Sequence, residues 1–261
     1  MKQHSTHITI KWLTGCIVLF LGLSCKYFKP NHPQAELQAN ESLNEATINT
    51  YVDSVNATLN QAEKTSSLVY TLGDSSFYVT RYTYNNAPVL YEETCDKAEL
   101  GYSKRRYYLK DNRVIFYSEN SKATPSDKPY RIIKEYYRND VMFYAEEKQG
   151  TEQDIASLPF TETNVATAQS QTRLARYEDA LNQRGKFDLF FEGITEYPKA
   201  RYLILSRKEI NAYRAPVLIP DDDDLIREIA GNPNKYRGEK LYLTWKIVNG
   251  EAVYQSGKLK Q

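Results

Sequence analysis

Three segments of the chain repeat one pattern, in which two short runs rich in Tyr, Val, Ile and Phe flank a pair of Asn or Asp residues. The segments are 81–93, 107–119 and 135–146. A tyrosine recurs at intervals of 26 and 27, five residues after an asparagine of each pair: Tyr91, Tyr117 and Tyr144 after Asn86, Asn112 and Asn139. Because Asn and Asp tolerate the positive φ of a two-residue hairpin turn, each segment is predicted to form strand, tight turn and strand. The chain is therefore expected to contain an antiparallel meander of at least six strands.

Two stretches in which apolar residues recur at helical spacing flank this meander, at 42–64 and 162–182. A sheet needs a cover for its apolar surface, and these two helices are the expected covers. The predicted fold is α+β and β-rich, an antiparallel meander of Tyr-rich hairpins covered by two helices. Residues 42–149 are expected to form the first helix and the meander, and residues 150–186 a linker and the second helix.

The last third of the chain, 187–261, is predicted to form a smaller unit of order β-β-β-α-β-β. Its first three strands are expected at 187–191, 202–205 and 213–219, its helix at 222–230, and its closing hairpin at 240–255. Asn249 and Gly250 give that hairpin the strongest turn signal in the chain. The pattern leaves open whether this unit extends the sheet of the meander or forms a second domain.

The first 25 residues differ from the rest. Lys2 and Lys11 precede an apolar run at 13–23, which is too short to span a bilayer, and Cys25 follows this run almost directly. A basic start, a short apolar run and a cysteine at its end resemble the signal peptide of bacterial lipoproteins. The resemblance implies that residues 1–24 are a signal peptide and that Cys25 is lipidated. Residues 25–41 are then a tether. Cleavage before Cys16 and an ordinary secretory signal without lipid are the alternatives.

Lipidation of Cys25 would fix the protein to a membrane. Each buried methylene of an acyl chain such as palmitate contributes about 0.8 kcal/mol, so an anchor of several chains is effectively permanent. The expected location is the bacterial cell envelope, and the absence of an acidic run after Lys26 favours the periplasmic side of the outer membrane. Removing residues 1–24 takes away two Lys and no acid, so 34 basic residues become 32 against 33 acidic ones and the formal charge becomes −1. This charge argues against a nucleic-acid partner.

Cleavage would also leave one histidine, His32 in the tether, and one unlipidated cysteine, Cys95, predicted to be a buried or half-buried thiol. The mature chain has none of the motifs of zinc proteases, serine hydrolases or phosphate-binding loops. No metal, cofactor or catalytic residue is therefore predicted, because neutral imidazole normally supplies the base or ligand near pH 7. Carboxylate chemistry of the glycosidase kind survives this exclusion, since its two acids need no sequence motif.

Two charged stretches have both a structural and a functional interpretation. The aspartates at 221–224 are predicted to cap the helix that follows them rather than to bind calcium, because they do not alternate with spacers. The stretch 102–110 interleaves bases with aromatics, a composition suited to single-stranded nucleic acid, which is the wrong partner for an exported chain. It is predicted to be a strand whose Lys and Arg oppose Glu on neighbouring strands, with anionic lipid headgroups as the alternative.

Tyrosine presents an apolar ring and a polar tip, which suits contacts with sugars, peptides or lipids. The candidate ligand contacts are Tyr91, Tyr117, Tyr144 and Tyr236, although strand packing explains most tyrosines of the chain. The predicted function is a non-catalytic binding or scaffolding module whose partner is an envelope protein or glycan. Two alternatives stay open: a carrier or sensor of an apolar ligand held under the curved sheet, and a carboxylate-dependent hydrolase of envelope glycans.

Overall fold

The computed structural model describes residues 43–164 and 170–259. This part of the chain is strand-rich, with one large, mostly antiparallel sheet and few helices, which confirms the predicted β-rich α+β class. The strands are β1 (Glu63–Ser66), β2 (Tyr70–Leu72), β3 (Ser75–Tyr84), β4 (Ala87–Asp96), β5 (Gly101–Lys110), β6 (Arg113–Ala123), β7 (Tyr130–Arg138), β8 (Val141–Gly150), β9 (Thr161–Glu162), β10 (Phe190–Tyr197), β11 (Ala200–Ser206), β12 (Arg214–Leu218), β13 (Leu241–Val248) and β14 (Glu251–Leu259). The α-helices are α1 (Glu45–Thr58), α2 (Ser170–Leu181), α3 (Asp224–Gly231) and α4 (Pro233–Tyr236). Short 3₁₀ turns lie at Leu59–Gln61, Ala98–Leu100 and Gly185–Phe187.

The strands pair in the order β10-β11-β12-β2-β3-β4-β5-β6-β7-β8-β9. From β3 to β8, each strand pairs with the next one along the chain. In addition, β1 pairs with β3, and β14 lies parallel to β12 and antiparallel to β13. The C-terminal strands join the others where Arg214 of β12 pairs with Thr71 of β2. They therefore extend the sheet of the preceding strands.

The β3–β4, β5–β6 and β7–β8 hairpins share one turn geometry. Both residues of each turn have positive φ, and they are Asn85 and Asn86, Asp111 and Asn112, and Asn139 and Asp140. Just beyond each turn the second strand carries one extra residue, at Val89, Ile115 and Phe143. Asn and Asp adopt the left-handed conformation at low cost, and such a bulge increases the local twist of the strands.

These bulges correct the alignment of the three repeats. Tyr91 and Tyr117 are equivalent, but their counterpart in the third hairpin is Ala145 and not Tyr144. Asn86 and Asn112 are the second residues of their turns, whereas Asn139 is the first residue of its turn, so the position five residues after Asn139 falls one residue short. An interval of 27 is odd, and a shift of one residue moves a side chain to the opposite face of a sheet. The equivalent cross-strand pairs are Tyr82 with Leu90, Tyr108 with Phe116, and Tyr136 with Tyr144.

The two long helices lie on opposite faces of the sheet, which we call the α1 face and the α2 face. On the α1 face, the buried side chains of α1 pack on the aromatic row of the hairpins. On the α2 face, Tyr177, Ala180 and Leu181 of α2 join a core shared with the C-terminal strands and α3. The described part of the second helix is Ser170–Leu181, and the helix does not extend back to 162, because Thr161–Glu162 pairs with β8 as a strand.

α1 fits the hairpins because the spacing of two asparagines along the helix matches the spacing of alternate strands in the sheet. The side-chain oxygen of Asn56 accepts a hydrogen bond from Tyr108 on β5 at 2.9 Å, and that of Asn49 accepts one from Tyr136 on β7 at 3.1 Å. Seven helical residues rise about 10.5 Å, and two strand spacings are about 9.6 Å. α1 therefore runs across the strands, and one asparagine meets every second strand.

Candidate functional site

A network of charged and tyrosine side chains lies between α2 and the sheet. Arg105 of β5 is at its centre, and its guanidinium binds Glu93 of β4 and, at 3.0 Å, Glu119 of β6. Arg176 of α2 donates to the second carboxylate oxygen of Glu93 at 2.8 Å, so an ion pair ties α2 to the sheet. We call this group the α2-face network, and it comprises Arg81, Tyr91, Glu93, Arg105, Tyr117, Glu119, Arg176 and Glu178.

Tyrosine hydroxyls complete the network. Tyr117 donates to Glu119 at 2.5 Å, and Tyr91 donates at 2.5 Å to Glu178 of α2, which Arg81 also binds at 3.0 Å. Residues two apart in a strand share a face, so a Tyr-x-Glu sequence places a ring and a carboxylate side by side. Strand alternation therefore builds the sheet half of the network, and α2 supplies the other half.

Two carboxyls of the network, Glu119 and Glu178, have lowered pKa values. Burial alone would raise the pKa of Glu119, but the charge of Arg105 and the hydroxyl of Tyr117 outweigh it and hold that pKa below its ordinary value. The pKa of Glu178 is also lowered, because the hydrogen bonds from Tyr91 and a guanidinium outweigh the effect of burial. Both carboxyls are therefore ionised at neutral pH.

These lowered pKa values predict how stability depends on pH. A carboxyl whose pKa is lower in the folded than in the unfolded chain stabilises the fold above its unfolded pKa, and this contribution is lost as the pH falls through the folded value. The free energy of unfolding, measured by urea denaturation, should accordingly fall below about pH 4. A Glu119→Gln variant should be less stable at pH 7 and lose less on acidification. An equal acid loss in the variant and the parent protein would contradict the lowered pKa of Glu119.

The carboxyls of the network are paired differently from the two acids of a carboxylate hydrolase. Such an enzyme needs one carboxyl with a raised pKa to protonate the leaving group, beside a second, ionised carboxylate. In the network the pKa values of Glu119 and Glu178 are lowered instead, and both oxygens of Glu93 are bound to arginines. The charges are held in fixed pairs, an arrangement that favours rigidity over proton transfer.

The structure separates the four tyrosines predicted as ligand contacts. Tyr91 and Tyr117 are buried together on the α2 face, with 5% and 0% of their surface exposed. Tyr144 is half-buried on the α1 face, its ring 5.4 Å from that of Tyr136. Tyr236 is buried in α4, where its hydroxyl donates to a glutamate of α3. The four residues thus belong to three separate places, and a ligand would reach Tyr91 or Tyr117 only if α2 moved.

The basic strand 102–110 binds the glutamates of its neighbours, as predicted. On the α1 face, Lys104 and Arg106 both contact Glu92, at 3.1 and 2.7 Å. Arg105 points to the other face, and its central place in the network was not predicted. The strand pattern gives the alternation, but nothing near Arg105 in sequence shows that a later helix covers it.

The aspartate run 221–224 caps α3, which confirms the predicted role. Asp223 is the N-cap residue, with one oxygen accepting from the backbone N–H of Ile226 at 2.9 Å and the other from the hydroxyl of Tyr254 at 2.6 Å. Within 43–164 and 170–259, no three His, Cys, Asp or Glu residues are grouped so as to hold a metal ion.

Cys95 is a half-buried free thiol beside Ser103 on the α2 face, as predicted. Burial raises the pKa of this thiol, with a smaller contribution from the charge of Glu93. The thiolate, which is the nucleophilic form, is therefore scarce at neutral pH. The surroundings of Cys95 agree with a structural role.

Among the C-terminal strands, the described residues line at least three surface grooves. The first has a volume of about 480 Å³ and is lined by Phe190, Lys208 and Arg237 among others, and the second, of about 300 Å³, adjoins it. The third, of about 500 Å³, lies on the open face of β11 and β12. These grooves are open to solvent and do not lie between a long helix and the sheet. Aromatic rings fill the described interface beneath α1, which disfavours a lipid carrier at that place.

Among the helices of the described ranges, none has both the length and the apolar composition needed to cross a bilayer. No protein-family model, curated protein or solved structure matches the chain.

Proposed function

We propose that the protein is a non-catalytic binding or scaffolding module of the bacterial cell envelope, anchored to a membrane through lipidated Cys25. The N-terminal sequence supports the anchor, because Lys2 and Lys11 precede the apolar run at 13–23 and Cys25 follows it. The absence of an acidic run after Lys26 supports the periplasmic face of the outer membrane. A partner protein or glycan of the envelope is the proposed ligand, and no cofactor is needed.

The observation that carries the non-catalytic part of this proposal is the closed pairing of the α2-face network. Glu93 exposes 2% of its side chain and has each oxygen bound by an arginine, Arg105 or Arg176. Perturbed ionisable groups also mark active sites, but an active site leaves an acid or base facing a space where substrate binds. In the α2-face network, tyrosine hydroxyls and arginine guanidiniums bind the carboxylates instead. A binding module gains from such rigidity, since a preorganised surface loses less entropy when it binds.

The fold suits a rigid surface for binding a partner. We propose that the Tyr-rich hairpins 81–93, 107–119 and 135–146 form a rigid meander held between α1 and α2. The unit at 187–261 prolongs the sheet and adds exposed strand surface with three grooves. Tyrosines on such surfaces contribute large contacts at low entropic cost, which supports recognition of a protein or glycan.

Replacing Cys25 should abolish membrane anchoring. In cells fed a labelled fatty acid, the parent chain should incorporate the label and remain with the membrane fraction after a high-salt wash. The Cys25→Ala chain should incorporate none and be released, because Cys25 is the proposed acylation site, whereas label that persists until Cys16 is also replaced would point to Cys16. Cys95→Ala is the matched control and should behave like the parent. Label on the Cys25→Ala chain, or its retention in washed membranes, would refute the anchor.

The binding role is tested by crosslinking the parent chain in intact cells and identifying the crosslinked species by mass spectrometry. We expect an envelope protein or glycan to be crosslinked reproducibly. Modification of the surface lysines should block the sheet surface and abolish this crosslink. Turnover of isolated envelope glycans by the purified chain, abolished in a Glu119→Gln variant, would contradict the non-catalytic assignment and support the hydrolase alternative.

A further inference from the structure

One loop of the protein exposes an apolar tip. Residues 207–213 join β11 to β12, and Ile210 in this loop has 91% of its surface exposed, the largest value among the large apolar residues of the described ranges. Leu72, at the end of the adjacent β2, exposes 41%. The register places both at the same end of the sheet, because Arg214, directly after the loop, pairs with Thr71. A single exposed apolar side chain carries no argument by itself, but its surroundings do.

The surroundings are cationic. The charged residues of the loop and its grooves are Lys186, Arg207, Lys208, Arg214, Arg237, Glu192 and Glu209. Asp188 also acts on Arg207 and is itself bound by Lys240 at 2.6 Å. Two pairs are closed: Arg207 binds Glu209 at 2.7 Å, and Arg214 binds Glu192 at 2.8 Å. Lys186, Lys208 and Arg237 form no salt bridge within 43–164 and 170–259, although the charge of Arg237 helps to lower the pKa of the Glu192 carboxyl and Lys186 lies over the rings of Phe187 and Tyr213.

Arg237 is held in place by the backbone around it. Its Nε donates to the carbonyl oxygen of Glu192 at 3.1 Å. The segment that carries it is fastened to the edge strand β10, because Gly238 donates to the carbonyl of Phe191 at 2.8 Å and Phe191 donates to the carbonyl of Glu239 at 2.9 Å. The guanidinium is therefore positioned before any ligand arrives.

The free cations line the two adjoining grooves. Lys208 and Arg237 line the groove of about 480 Å³, with Phe190 as part of its apolar wall. Lys186 lines the groove of about 300 Å³, together with Ile210. The loop with the exposed isoleucine thus borders both recesses, and in each of them the basic side chains outnumber the acidic ones by one. We call the loop and both grooves the 207–213 surface.

We propose that the 207–213 surface docks on the anionic headgroups of a lipid bilayer, with Ile210 inserted between the headgroups. Phosphate groups are complementary to the charges of Lys186, Lys208 and Arg237, and an apolar tip gains by entering the acyl boundary. The formal charge of the chain without residues 1–24 is −1, so the attraction is local to this surface. The proposal rests on the proposed membrane-anchored function and adds which end of the folded chain meets the bilayer.

The chain can reach the bilayer in this orientation. Leu43 lies at the hairpin-turn end of the sheet, where its carbonyl accepts from Arg138, and the 207–213 surface lies at the other end. A strand of ten residues is about 34 Å long. The 18 peptide units from Cys25 to Leu43 span at most roughly 60 Å when extended. The covalent link therefore permits the far end of the sheet to contact the membrane that holds Cys25.

The test places a polarity-sensitive fluorophore at the loop tip of the full chain. Ile210→Cys and Tyr197→Cys are made in a background in which Cys16, Cys25 and Cys95 are replaced by Ser, so that the label has one site, and both are labelled in the same way. Tyr197 is the matched position, since it is 61% exposed at the opposite end of β11. Vesicles of phosphatidylcholine, with or without phosphatidylglycerol, carry brominated lipid as a contact quencher. The label at 210 should be quenched and blue-shifted only with phosphatidylglycerol, and the label at 197 should not respond.

Charge variants test the cations. In the Cys25→Ala chain, where no acyl anchor masks the effect, Lys208→Gln and Arg237→Gln should each lower the affinity for phosphatidylglycerol vesicles about fivefold. Lys199→Gln, an equal loss of charge at the β10–β11 turn, should change it little. Docking is refuted if the label at 210 is not quenched, if Lys199→Gln has the same effect as Lys208→Gln, or if inorganic phosphate binds without any quenching by vesicles. Fatty-acid incorporation, measured separately on the chain that retains Cys25, distinguishes failure of the Cys25 anchor from failure of docking.

Discussion

Replacing Glu93 by Gln is expected to lower the free energy of unfolding by about 3–5 kcal/mol. Glu93 exposes 2% of its side chain and is bound by Arg105 and Arg176. The substitution keeps the shape but removes a buried charge, so Arg176 loses its described counter-ion and Arg105 keeps only Glu119. The loss should appear in urea denaturation at pH 7 as a lower midpoint with an unchanged slope.

The matched control for Glu93 is Glu196→Gln. The side chain of Glu196 is 75% exposed, and its only described ion pair is a 4.0 Å contact with Arg201. Solvent screens such a pair, and the expected change is within about 0.5 kcal/mol. If Glu93→Gln cost less than about 1 kcal/mol, the network would be a surface-like set of ion pairs and would not fix α2 on the sheet.

Truncating Phe116 to Ala should be the most damaging change on the α1 face, at about 3–5 kcal/mol. Phe116 exposes 4% of its surface, and its ring centroid lies 5.6 Å from that of Tyr108 and 5.0 Å from that of Tyr136. The lost ring would leave a cavity beneath α1, in the row that holds the helix across the strands. Urea denaturation should report the loss of stability.

Hydrogen exchange separates this effect from general destabilisation. In Phe116→Ala, the amides of α1 should exchange faster relative to those of β13 and β14, because α1 loses its principal contact. Tyr242→Ala is the control, since Tyr242 is 47% exposed on β13, and its stability should change by about 0.5 kcal/mol or less. Unaltered protection of α1 in Phe116→Ala would show that the aromatic row does not hold the helix.

Local features of the fold could be predicted because they depend on neighbouring residues. Asp223 caps α3 through a backbone N–H three residues later, so the aspartate run and the apolar residues after it suffice to recognise the cap. The opposition of Lys104 and Arg106 to Glu92 likewise follows from strands that are adjacent in the chain. Such interactions need little more than the pattern itself.

The placement of Tyr144 could not be predicted in the same way. Its spacing from Tyr117 is one residue longer than that from Tyr91 to Tyr117, and in a strand one residue decides between two faces. The correct alignment depends on which residue of the Asn139–Asp140 turn comes first and on the bulge at Phe143. A bulge is set by the pairing of both strands, and one strand does not reveal it.

The sequence by itself determined the strand-rich class and the cap of α3, because turn chemistry, strand propensity and capping act over a few residues. The resemblance of the first 25 residues to a lipoprotein signal remains a prediction that rests on sequence alone. The tertiary structure decided which face each side chain occupies, that α1 and α2 lie on opposite faces, and that the C-terminal strands share one sheet with the others. It also made the α2-face network and the 207–213 surface visible. Both join residues far apart in the chain, and such contacts depend on which elements pack together, which no local pattern encodes.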